Sequence, residues 1–516
     1  MNKQELVRAF AIATVALLGL LLSTSIVLAG AVPKANCGPL DWTESGLQGQ
    51  VTPWERESGD SLGGYNCNLE LVGQFQGEGA FSQNGPTYAG DCAYYGTDRV
   101  TPLQQHLGVT VIDASDPTRP VPSKYLDDTP AMRAPHETLK HNDRRKLLVA
   151  GENNGPNFAV YDTSADCRYP VRKSSINLPG SQGHMGNFAP DGLTYYLTQD
   201  FRGVGGFLYI IDLTDPSNPQ QLPTWQFQGD GRPHEAWLSA DGTRLYAGQP
   251  GVFGRPPNDS SFGPDGLVID DVSDYQFRRP NPQIRIVSKL FWDDQGQAEP
   301  MYPITVNGHP YIISGDESGG AAGAGGLAAA CARGASPWGY SNIIDIADET
   351  HPKIVANLML EVNDPANCSL MLNDPPDVGG AIPTYSPERC TADRQQNPTM
   401  VACGLWAAGV RVFDVRDILH PKEIAYYKPP APGTTFLPGS GSWAPGRNST
   451  FDKVAGYMRF KKVPANESHG RELQLWFVSD GQGFQILRFS NQFQAAHKEL
   501  FQKALQKDSF EDSGAE

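Results

Sequence analysis

Residues 206–219 read GFLYIIDLTDPSNP. Phe207, Leu208, Tyr209, Ile210 and Ile211 suit a pleated, buried strand. The aspartate and the Thr-Asp-Pro-Ser-Asn-Pro run after it suit a turn. An aspartate side chain accepts hydrogen bonds from the backbone just beyond it, and proline fixes φ where the chain leaves the strand. The same unit recurs as GVTVIDASDPTRP (108–120), NFAVYDTSADCRYP (157–170), GLVIDDVSDYQ (266–276), SNIIDIADETHP (341–352) and GVRVFDVRDILHP (409–421). A degenerate copy, GFQILRFS (483–490), carries Arg488 in the aspartate position. The aligned Asp113, Asp162, Asp212, Asp271, Asp345 and Asp414 are expected to be turn formers rather than ligands.

Working outward, a strand precedes most copies (KLLVAG, TYYLTQ, RLYAGQ, YIISGD) and another follows (PSKYL, QLPTWQFQG, IVANLML). A further strand, led by a histidine in three units, makes four per unit. Four-stranded units in series, with no helical stretch between them, predict an all-β fold, a β-propeller. NLELVGQFQG, from Asn68, is a fourth strand with no unit before it, and the last unit lacks one. Pairing the two closes a ring of seven blades and hides both sheet edges.

The repeated aspartate strand resembles the LVIVD-repeat family, in VTVIDASDP, LYIIDLTDP and VRVFDVRD, over roughly residues 68–490. The resemblance implies a secreted or cell-surface propeller. It implies little about activity. Long insertions depart from the short family repeat: residues 251–265, 318–339 and 372–390, expected to share one face. The predicted organisation is a targeting segment (1–31), a lead-in (32–67), the propeller (68–490) and a polar tail (491–516) lying outside the ring.

The chain has 516 residues and a formal net charge of −16. With no basic run, nucleic-acid binding through phosphate contacts is not expected. Lys3 and Arg8 precede the uncharged stretch 9–31. This reads as an export signal, cleaved or retained as a single membrane anchor. The eight cysteines all follow it, so disulfides are expected in an oxidising compartment.

Three inner strands begin with histidine. His136, His184 and His234 stand seven residues before Asp143, Asp191 and Asp241. Equivalent positions in adjacent blades face one another around the channel mouth. Converging imidazoles suit Zn, Cu, Fe or Mn. Repetition for packing, with each imidazole bonding the next blade, gives the same pattern. Glu137 and Glu235 follow two of the histidines as candidate ligands, orienting groups or bases. Glu299 falls one residue short of the matching place in the fifth blade. Arg447, in GSGSWAPGRNS (439–449), is placed to meet an anionic ligand or an acidic neighbour. The segments 293–299 and 479–484 have calcium-like composition without calcium-loop spacing.

Two functions fit. One is an exported module that binds a protein or small-molecule partner through face loops and the central channel. The other is a metal-dependent oxidase or hydrolase. The methanethiol oxidase family, another His-lined propeller, carries metal-dependent oxidation, which is a likeness of fold alone.

Overall fold

The computed structural model describes residues 30–81, 85–97, 105–199, 206–227, 233–249, 265–292, 296–322, 326–372, 374, 384–464 and 471–506. The expected targeting segment, except its last two residues, and nearly all of the 251–265 insertion lie outside the described residues. Among the described residues, no helix is long and apolar enough to cross a membrane.

The strands form seven antiparallel sheets. Each blade runs from an inner strand outward. Blade 2 has Lys140–Asn142, Leu147–Gly151, Asn157–Asp162 and Val171–Asn177, and blade 3 starts with Gly183–Phe188. Blade 4 starts with Ala236–Leu238, blade 5 with Ala298–Val306 and blade 6 with Arg389–Ala392. Blade 7 joins Arg459–Val463, Glu472–Ser479 and Gly483–Phe489 to Leu69–Phe75 from the other end of the chain. The closing pair runs from Leu69 opposite Phe489 to Phe75 opposite Phe484. The expected closure is therefore present.

The turn chemistry follows the sequence reading. Asp113, Asp162, Asp212, Asp271, Asp345 and Asp414 each accept the backbone N–H two residues on, at 2.8–3.1 Å. Asp191 and Asp241 do the same for Leu193 and Thr243, at 2.9 and 3.0 Å. They lie in the turns after the inner strands of their blades, at the opposite end from the histidines. The spacing of seven thus measures one inner strand and its turn.

Three features differ from the sequence reading. Tyr65–Cys67, in the lead-in, pairs with Lys422–Lys428 as a fifth strand of blade 6. The outer strand of blade 3 splits into Gln220–Gln221 and Trp225–Gln226, with Pro223, which has no N–H for a ladder, between them. The tail forms two short helices, Asn491–Ala496 and Lys498–Ala504. It is not outside the ring, because Phe493, Leu500, Phe501 and Ala504 are buried in one apolar cluster with Leu475, Leu487 and Phe489. Within the 318–339 insertion, the helix Gly326–Ala332 is tied down by the Cys331–Cys368 disulfide. The other cysteines pair as Cys37–Cys67, Cys92–Cys167 and Cys390–Cys403.

Candidate metal centre at the channel mouth

All three histidines sit where an inner strand begins. His184 is on the inner strand of blade 3, and His136 and His234 lie shortly before those of blades 2 and 4. Each strand alternates direction within its blade. This end therefore also carries the links from second to third strands and from each outer strand to the next blade. The described strands that flank the three insertions end and begin at this end.

Local geometry fixes the side chains. His136 adopts φ +43°, a left-handed conformation rare for a residue with a Cβ. The Glu137 and Met185 backbones form a parallel bridge between blades 2 and 3. The His234 N–H donates to the Gly248 carbonyl at 2.7 Å. Gly248 is required here, because a Cβ would stand 2.0 Å from the Glu299 carbonyl. Blades 4 and 5 could not approach so closely with any larger residue.

The imidazoles converge. His184 Nε2 lies 2.9 Å from His234 Nε2. The His136 and His184 ring centres are 4.8 Å apart. His234 Nδ1 meets the Glu299 carboxylate at 2.7 Å. Glu137 Oε2 is 3.8 Å from His184 Nε2. Two overlapping sets, His136–Glu137–His184 and Glu137–His234–Glu299, each hold donor atoms within 4.8 Å of one another. Two ligand nitrogens on one zinc ion, each at about 2.1 Å in tetrahedral geometry, stand about 3.4 Å apart. A modest rotation of the His184 and His234 rings meets that distance. The same 2.9 Å contact also suits a direct imidazole–imidazole hydrogen bond.

Beside the histidines lies a buried ionic cluster centred on Arg389. Its Nη2 is 2.8 Å from Glu137 and 3.8 Å from Glu299, its Nε is 3.4 Å from Glu235, and Nη1 bonds Glu388. Lys140 Nζ is 3.6 Å from Glu235 and 4.6 Å from the centre of the Tyr457 ring. The Tyr457 hydroxyl donates to Glu235 and accepts from the Trp237 indole N–H at 2.9 Å. Gln297 bridges Glu299 and the half-buried Glu317.

Burial sets the electrostatics. It disfavours the Glu137 anion, but the Arg389 charge outweighs it, and Glu137 is held well below the usual carboxylate range. Glu299 goes the other way: burial, then the Glu137 charge, push it well above that range. Burial also lowers His234, which favours the neutral imidazole a metal needs. It lowers Lys140 and raises Tyr457 as well.

Of the sequence candidates, His136, His184, His234, Glu137, Glu235 and Glu299 come together, and Arg447 does not. The Arg447 guanidinium donates to the Ser442 carbonyl at 2.6 Å. The guanidinium in the channel is that of Arg389, which the sequence reading missed. A signal existed: Pro387-Glu388-Arg389 opens blade 6 in the register of Pro135-His136-Glu137 and Pro233-His234-Glu235. Lys140, Gln297, Glu317, Glu388 and Tyr457 were also missed, and only Glu388 shares that register signal.

No family model and no curated protein matches this chain. Solved propellers do. The WD40 domain of Toxoplasma gondii coronin is 9% identical, with TM-score 0.46, covering 82% of this chain and 85% of that one. The periplasmic gluconolactonase of Pseudomonas aeruginosa is 12% identical, with TM-score 0.41, covering 70% of this chain and 98% of that one. Likeness at this level carries no argument about chemistry. The class defined by fold is a seven-bladed β-propeller, a scaffold commonly used for binding.

Proposed function

We propose that the channel mouth is a transition-metal centre and that this chain is a metal-dependent enzyme, an oxidase or hydrolase, on an exported propeller of LVIVD-repeat type. One observation carries the reading: the Glu299 carboxylate stands 2.7 Å from His234 Nδ1 while His234 Nε2 faces His184 Nε2 at 2.9 Å. A carboxylate on the far nitrogen of an imidazole is the usual means of orienting a metal ligand. His136, His184 and His234 would hold the ion, with Glu137 as a further ligand. A bound ion supplies Lewis acidity and, for Cu, Fe or Mn, one-electron chemistry. Arg389 and Lys140 stand among Glu137, Glu235, Glu299, Glu317 and Glu388, and burial favours the uncharged forms of Lys140, Glu299 and Glu317. Arg389 keeps Glu137 ionised and ready to bind, and Gln297 limits the motion of Glu299. Four disulfides suit an oxidising compartment.

Metal analysis of untagged protein tests this directly. The expected result is about one equivalent of Zn, Cu, Fe or Mn, lost in His184→Ala/His234→Ala while the fold persists. A native protein that neither carries nor takes up such an ion would leave the 2.9 Å contact as a structural hydrogen bond. The binding-module reading would then stand, favoured by the propeller scaffold, which is commonly used for binding.

A further inference from the structure

Glu137 and Glu235 hold the same place in two copies of the repeat, each following a channel histidine by one residue. The structure treats them differently. Glu137 belongs to both donor sets at the centre, and Glu235 to neither of them. Glu137 Oε1 meets Arg389 Nη2 at 2.8 Å. Its Oε2 is buried without a hydrogen bond and faces His184 Nε2 at 3.8 Å. Glu235 Oε1 instead accepts the Tyr457 hydroxyl, and Lys140 Nζ stands 3.6 Å from the same oxygen.

Tyr457 is held from several sides. Its hydroxyl accepts the Trp237 indole N–H at 2.9 Å. An indole N–H can only donate, so the single phenol proton is committed to Glu235. The Trp237 ring meets the Tyr457 ring edge-on, with centres 5.8 Å apart. Lys140 Nζ and the Arg389 guanidinium carbon lie 4.6 and 5.5 Å from the centre of the Tyr457 ring, within reach of cation–π attraction. The Tyr457 carbonyl accepts the Tyr88 hydroxyl at 3.0 Å. Side chains from other blades thus fix this ring, and the ring fixes Glu235.

We propose that Tyr457 is a positioning residue that sets the metal preference of the centre. By holding Glu235, it keeps a second carboxylate out of a ligand set in which His136, His184 and His234 stand with Glu137. The proposal rests on the metal reading above. Imidazole-rich sets favour Zn and Cu, and carboxylate-rich sets favour Mn. The Tyr457 hydroxyl therefore biases the centre towards Zn over Mn.

Competitive chelator titrations of the full chain, with Zn and with Mn, test this. Tyr457→Phe keeps the ring beside Lys140 and Arg389 and removes only the hydroxyl. Its ratio of Zn to Mn affinity is expected to fall about 10-fold, the lower end of what outer-shell partners contribute. Tyr457→Phe/Glu235→Gln is expected to restore the native ratio, because the freed side chain no longer carries a carboxylate. Glu235→Gln alone is expected to leave the ratio unchanged, since that carboxylate is not a ligand in the native chain. Lost packing weakens both ions alike and leaves the ratio as it was. An unchanged ratio in Tyr457→Phe would overturn the proposal, as would a fall that persists in the double variant or a shift in Glu235→Gln alone. A native chain that takes up neither ion would overturn the metal reading and this proposal together. Native uptake with an unchanged ratio in Tyr457→Phe would overturn this proposal alone.

Discussion

At the residue scale the centre is a contest between burial and charge. Glu299 touches His234 Nδ1 at 2.7 Å. Replacing it with glutamine keeps the shape but weakens the grip on the imidazole. Metal affinity is expected to fall about 10–100-fold, read by competitive chelator titration. Arg389 is buried among four glutamates. Removing one partner of a buried ionic cluster costs about 3–5 kcal/mol, because the rest are left uncompensated. Arg389→Ala is expected to lose that much in urea unfolding. The loss should be smaller at pH 5 than at pH 8, since the stranded carboxylates can be relieved by protonation. A pH-independent loss would point to packing instead. The histidines were legible because repetition aligned them. Arg389 occurs once, in a blade whose inner strand carries no histidine, and its role depends on carboxylates from other blades that no local pattern connects. Tyr457 lies even further from any pattern, just ahead of the inner strand of blade 7.

At the scale of the strand, alternation and turn chemistry carried most of the information, and Asp270 shows where they mislead. The pair Asp270-Asp271 ends the third strand of blade 4. Asp271 caps the turn, while Asp270 points inward, fully buried, with neither carboxylate oxygen hydrogen-bonded. Burial pushes its pKa up to about 8, with Lys289 opposing. The folded chain therefore holds this proton more tightly than the unfolded chain, in which the group titrates near 3.8. This contribution to stability is fully present below about pH 4 and is lost as pH rises towards 8. Asp270→Asn is expected to flatten that part of the stability–pH profile and to be more stable than the native chain at pH 8. Chemical denaturation at pH 5 and 8 measures it. The tail was misread for a related reason: its composition is polar, but Phe493, Leu500 and Phe501 fall on one side of two short helices and are buried.

At the scale of the molecule, the ring is closed by residues from opposite ends of the chain, and this was legible because each end lacked what the other supplied. Leu69 is completely buried at the seam, in the cluster that holds Leu487 and Phe489. Leu69→Ala is expected to cost about 2–5 kcal/mol, measured as a lower urea midpoint. The surroundings of the lead-in were not legible, since Val32 and Tyr65–Cys67 bond to partners hundreds of residues away. The seam also has a consequence in time. Leu69–Phe75 leaves the ribosome early, and Gly483–Phe489 follows about 400 residues later. At about 5–20 residues per second, the first strand waits roughly 20–80 seconds for its mate. During that interval its apolar edge is an invitation to any neighbouring nascent chain. Crowded synthesis therefore favours mispairing between copies, and a holding chaperone that shields the early strand would set the yield of closed rings.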